Sequence, residues 1–295
     1  KNLAKYFGSK YACAVSNATS ALYLLSEILN WQKNDIVFCS PLTFLAGSNS
    51  IIRQGAKPYF IDIDNNYFTI DPNKLEHELK KRSVKNNAKA IIATDYAGQA
   101  CDWKSLRFLA NKYNLKLIND NCHAMGASYF GKKKYAIKYA DYVIQSYHAV
   151  KNFTTGEGGS ILTNDKNVLE KFKLMRTHGI IKNERMKNIN GKWFYDMIEF
   201  GYNCRMTDIQ AALGVSQLKK LDTFVSKRRK IAKFYDKLLK DVKNIIIPKE
   251  NKFNRHSYHL YPLRIQFSKI KFNKKQLFKF FYEKKINLQV HYVPT

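Results

Sequence analysis

A chain of 295 residues, 45% hydrophobic and 14% aromatic, is long and apolar enough to bury a substantial core, which excludes a disordered protein and favours one large α/β domain with a smaller lobe. Its 51 basic and 23 acidic residues leave a formal charge of +28, but the lysines are scattered among Asn, Ile, Tyr and Phe without any recognition-helix, zinc-finger or RNA-binding pattern. The charge therefore reads as a bias towards Lys and Asn that suits a polyanionic small substrate such as a nucleotide diphosphate, with a non-catalytic nucleic-acid-binding protein as a remote alternative.

No apolar run approaches the roughly 20 residues of a membrane helix, and the opening KNLAKYFGSK lacks the apolar centre of a secretory signal. A cytoplasmic protein with no membrane contact is expected. The cysteines at 13, 39, 101, 122 and 204 are odd in number and widely spaced, so neither a disulfide framework nor a metal site is expected.

The chain opens directly on a helix. Short β-rich runs then alternate with helical periods: YACAVS before ATSALYLLSEIL, DIVFCS before FLAGSNSIIRQG, KPYFIDID before DPNKLEHELKK, AKAIIATD before WKSLRFLANKY, then LKLIND and, as the last strand, DYVIQSY. Alternation of this kind predicts βαβ units in a mostly parallel sheet, with ligands at the carboxyl ends of the strands. At Thr207 the sequence TDIQ has the form of a capping box and opens an apolar period through Ala211, Leu213, Leu218, Leu221 and Val225. The expected organisation is a large domain over 1–206, a connecting helix over 207–240 and a small α+β domain over 241–295. The small domain reads as truncated at Thr295.

Three stretches at strand ends could carry chemistry. In SNATSAL, Ala18 and Thr19 stand at the start of an amphipathic helix, whose free N–H groups and positive dipole end suit a phosphate. Taken alone, that stretch is better accounted for by ordinary capping by Ser16 or Asn17. In LINDNCHAMGA, Asp120 and His123 follow an apolar strand, where a carboxylate is costly unless it meets a cation. In SYHAVKNFTTGEGG, Lys151 follows Ser146, and a desolvated lysine can attack a carbonyl. Anion site, carboxylate and amine in that order match what pyridoxal phosphate requires: a phosphate seat, a partner for the pyridine nitrogen and an imine-forming lysine.

In these motifs, and in SPLTFLAGSN, FIDID, DYAGQACDW, RTHGI, GYNCRMTDIQAALGVSQLKKLD and QVHYVPT, the whole chain resembles the sugar-nucleotide aminotransferases of the DegT/DnrJ/EryC1/StrS family, which are fold-type I pyridoxal-phosphate enzymes. The resemblance implies that Lys151 forms the imine with the cofactor, Asp120 binds its ring nitrogen, His123 lies against it and Phe44 covers a ring face. It also implies that Ala18, Thr19 and Ser146 hold the phosphate, and that Asn203 reaches the phosphate of a partner subunit, hence a homodimer with shared sites. Gln289, His291 and Tyr292 would lie near the sugar nucleotide; alternation along a strand would put Gln289 and His291 on one face. The implied reaction moves an amino group from L-glutamate to the C4 keto group of a UDP-linked 4-keto-6-deoxy-N-acetyl hexose of the pseudaminic acid type; dTDP- or GDP-linked keto sugars are the alternative. Sugar 3-dehydratases of the family replace the lysine by histidine, so Lys151 implies the transaminase. The chain departs from the family at Cys204, where tyrosine is usual.

Overall fold

A computed structural model describes residues 1–182, 188–189 and 191–294. Its centre is a seven-stranded sheet made of β1 (Tyr11–Val15), β2 (Ile36–Cys39), β3 (Lys57–Phe60), β4 (Ala88–Thr94), β5 (Lys116–Asp120), β6 (Tyr142–Ser146) and β7 (Gly159–Thr163). Their order in space is β1-β7-β6-β5-β4-β2-β3, and only β7 runs antiparallel to its neighbours. Because β7 runs the other way, its first residue, Gly159, lies beside the last residues of β1 and β6, pairing with Val15 and Ser146. The mostly parallel sheet matches the expectation. The strand series does not end at Tyr142–Ser146, however, since GSILT adds β7.

Helices cover both faces, so the strands read as nearly continuous apolar runs. Alternate residues supply two cores. Val15, Val37, Ile92, Ile118, Ile144 and Ile161 pack with α2 (Ala18–Ile28), α3 (Ala46–Arg53) and α8 (Lys166–Met175). Phe38, Ile91, Leu117, Val143 and Leu162 pack on the opposite face with α4 (Pro72–Leu79), α6 (Trp103–Lys112) and α7 (Tyr135–Tyr139). Two short helices, α1 (Asn2–Phe7) and α5 (Arg82–Lys85), complete this half. Four of the five cysteines are buried as small apolar residues, and all five are free.

The connection over 207–240 is two helices rather than one, α9 (Asp208–Leu218) and α10 (Leu221–Leu239). Thr207 and Gln210 form the full capping box. The break at Lys219–Lys220 lets Leu218, Leu221 and Val225 all bury, with Leu221 and Val225 closing on Gly126. Ala211 and Leu213 remain exposed. Beyond it, Ile245–Ile246 pairs with Arg264–Ile265, and α11 (Lys274–Glu283) opens on a capping box of Asn273 and Gln276.

The expected strand at QVHY is a correction. Residues 287–292 form no strand, because the segment makes no ladder and is held instead by Tyr292 on His123 and by the His291 carbonyl on Tyr96.

Candidate active site

The carboxyl ends of β4, β5 and β6 and the start of β7 lie side by side at one end of the sheet. Asp120 is the last residue of β5 and projects to the α2 face, as do Thr94 and Ser146. Asp120 is buried: its Oδ1 accepts from Cys122 N at 3.1 Å, and its Oδ2 lies 3.4 Å from Thr94 Oγ1. The same Thr94 hydroxyl is 3.2 Å from Thr43 Oγ1, to which it can donate in place of the carboxylate. Two donors leave part of a carboxylate's roughly four lone-pair sites free for a further one.

Lys151 comes from the turn after β6, where its N–H closes on His148 O at 2.9 Å. Burial lowers the amine below the usual lysine range, and the neighbouring Cys122 and Asp120 pull it part of the way back. His148, three residues before, faces outward and pairs with Glu157 at 3.6 Å.

Beside Asp120 stands His123. Its Nδ1 accepts from Ala97 N at 3.3 Å, which places the ring proton on Nε2, 3.0 Å from Tyr292 Oη. Burial first, then Lys151, His259 and His291, push it well below the usual histidine range, so the ring is neutral. His259 packs on it with ring centroids 4.5 Å apart, and Tyr96 at 6.1 Å.

The candidate anion seat lies where backbone meets backbone. Asn17 caps α2 by accepting from Ser20 N at 2.7 Å, leaving the first-turn amides of Ala18 and Thr19 without intrahelical acceptors. Gly159 passes so close that a Cβ there would lie 2.5 Å from Ala18 N and 2.5 Å from Asn17 C. A buried Ser146 faces it across the ladder. This cradle, with the carboxylate on the same face and the amine close enough to feel its charge, fits pyridoxal phosphate. Among the described residues no group of three or more His, Cys, Asp or Glu side chains is placed to hold a metal.

The remaining candidates divide. Phe44 is 58% exposed at the rim, its ring 6.0 Å from that of Tyr292. Tyr292 reaches the cleft through His123, and the backbone O of its neighbour His291 accepts from Tyr96 Oη. Gln289 is exposed, away from these contacts, and Asn203 is exposed on a bridge to Thr177. His259 and Tyr96 are site-wall residues that the motifs did not single out.

The profile of the DegT/DnrJ/EryC1/StrS aminotransferase family matches residues 1–295. The chain belongs to this family. This DegT-family protein is therefore an enzyme, an aminotransferase. It is 42% identical over 293 residues to the UDP-4-amino-4,6-dideoxy-N-acetyl-beta-L-altrosamine transaminase of Campylobacter jejuni, a match covering 99% of this chain and 74% of that one. Among solved structures it resembles Helicobacter pylori PseC, an aminotransferase involved in the biosynthesis of pseudoaminic acid, with a TM-score of 0.88, 32% identity and coverage of 99% and 75%. It also resembles Spr1654 of Streptococcus pneumoniae, solved in its PLP form, with a TM-score of 0.85, 28% identity and coverage of 99% and 76%.

Three histidines of the DegT-family chain make its stability depend on pH. Burial holds His256 down to about 3 and His259 down to about 2, and His123 lies well below its ordinary value. In the unfolded chain each titrates near about 6.5. Below that pH the unfolded state binds more protons, so stability is complete above about pH 6.5 and is lost as the pH falls towards the folded values, by up to about 1.4 kcal/mol per histidine per pH unit. Calorimetry should show a level Tm from pH 8 to 7 and a steady fall below 6.5. A Tm flat from pH 7 to 5 would contradict the buried neutral state.

Proposed function

We propose that the chain is a pyridoxal-phosphate-dependent transaminase that moves an amino group from L-glutamate to the C4 keto group of a UDP-linked 4-keto-6-deoxy-N-acetyl hexose. It would work in the cytoplasm, in the making of pseudaminic-acid-type nucleotide sugars. The observation that carries the reading is the convergence, at one end of the sheet, of a half-buried amine of lowered pKa, a buried strand-end carboxylate whose charge it feels and a helix N-terminus. The similarity to the Campylobacter enzyme supports the UDP sugar.

The cofactor, when bound, supplies a ring that takes up the electrons left when a carbon beside the amino group loses its proton. Lys151 Nζ would hold it and, once displaced by the donor, take and return that proton; burial keeps more of the amine unprotonated than in water. Asp120 would stand against the ring nitrogen and keep it protonated, and His123 and Phe44 would bound the ring. The phosphate would be held by the amides of Ala18 and Thr19 with Ser146. Tyr292 would close the cleft from the small lobe, with His291 and Gln289 towards the sugar nucleotide.

Two copies are part of the reading. Trp193, Phe200 and Ile209 are at least 78% exposed, and Asn203 lies in the same stretch. Large apolar side chains so exposed fit an interface between copies, from which Asn203 would reach the partner's phosphate. Steady-state kinetics should give parallel double-reciprocal lines with glutamate and the UDP keto sugar, and sedimentation should give a dimer at micromolar concentration. Intersecting lines would overturn the two-step transfer, and a monomer the shared site.

A further inference from the structure

On the sheet face opposite the candidate site lies a line of polar side chains that the proposed reaction leaves unused. Alternation sends Asp120, Ser146 and Gly159 to the α2 face and their neighbours Asn119, Asn121, Gln145, Tyr147 and Ser160 to the α6 face. There Asp95, just after β4, is fully buried and gathers five donors. Its Oδ1 accepts from Cys101 N at 2.8 Å and Trp103 Nε1 at 2.9 Å; its Oδ2 accepts from Tyr135 Oη at 2.6 Å, Asn121 Nδ2 at 3.0 Å and Asn119 Nδ2 at 3.1 Å. The line continues across two more strands. Gln145 Nε2 donates to Asn121 Oδ1 at 3.2 Å, Tyr147 Oη donates to Gln145 Oε1 at 3.0 Å, and Ser160 Oγ, 2.6 Å from Tyr147 Oη, is left to donate to it.

These groups are confined to the site end of the sheet. Further down the same face the strands present Ile91, Ala93, Leu117, Val143 and Leu162. An apolar end would avoid burying a carboxylate, and networks that are kept despite that cost are best accounted for by the register they impose. We propose that this ladder is the positioning device of the active site. Asp95 clamps both neighbours of Asp120, Gln145 and Tyr147 are both neighbours of Ser146, and Ser160 is the neighbour of Gly159. The far face thereby fixes the height of each group on the near face. The inference rests on the reading of Asp120, Ser146 and Gly159 as the cofactor's seat.

The test is binding of pyridoxal phosphate to apoprotein, followed by fluorescence quenching, in Asp95→Asn, Tyr147→Phe and Leu75→Ala. Leu75 is fully buried in α4 outside the ladder, so its variant measures what lost stability alone does. The ladder predicts that Tyr147→Phe and Asp95→Asn weaken binding about tenfold or more beyond Leu75→Ala, at matched loss of Tm, and shift the pH midpoint of the visible band. Native-like affinity and midpoint in Tyr147→Phe overturn the ladder alone, and Tyr147→Phe decides the matter if Asp95→Asn does not fold. A native protein that takes up no pyridoxal phosphate overturns both the ladder and the function it rests on.

Discussion

Replacing Lys151 by alanine should lower transamination by about a thousandfold or more while leaving the fold at least as stable, because positioned proton transfer contributes roughly 10²–10⁴ and covalent attachment is lost with it. The lysine amine sits where burial opposes its charge, so its removal relieves a desolvation cost. His148 is close in sequence but is turned outward to Glu157, so it offers no replacement base. Turnover assays and thermal unfolding check both halves. Turnover within tenfold of native would contradict the role, and a large fall in Tm would recast Lys151 as structural.

Gly159→Ala should be the most damaging single methyl group in the sheet. Its Cβ would meet Ala18 N at 2.5 Å, Asn17 C at 2.5 Å and Asn17 O at 2.8 Å, all backbone atoms, so β7 or α2 must move. The expected loss is about 3 kcal/mol of stability, with cofactor affinity reduced tenfold or more, since the displaced element carries the phosphate amides. Gly47→Ala is the control: its Cβ would meet nothing closer than Ile92 Cγ2 at 4.0 Å, and alanine favours the helix in which it sits. Denaturant titration should separate the two variants. Equal stability of both would show that the approach of β7 to α2 is relaxed without cost.

Much of this arrangement is legible in the sequence because it is local. Asn17 and Thr207 each cap a helix with a side-chain acceptor, and strands buried on both faces read as unbroken apolar runs. The strand β7 was not legible. It opens on a glycine and a serine rather than an apolar run, and only its antiparallel place between β1 and β6 makes those small residues useful. The same holds for the break between α9 and α10, which is set by the need to bury Leu218, Leu221 and Val225 together. His259 lies 136 positions from His123 in the chain, and Asp95 reaches partners up to forty residues away, so neither contact leaves a periodic trace. QVHY alternates like a strand but forms no ladder, and its Tyr292 ring and His291 carbonyl settle on His123 and Tyr96 instead.

The central claim is that Lys151 holds pyridoxal phosphate and surrenders it to an amino donor. The most direct measurement is the visible absorbance of the protein with pyridoxal phosphate, before and after glutamate, beside Lys151→Ala. The native protein should show the band of the lysine-bound cofactor and lose it to the shorter-wavelength amine form on adding glutamate, whereas the variant should lack the lysine-bound band. A native protein without that band, or a variant that shows it and responds alike, would contradict the account.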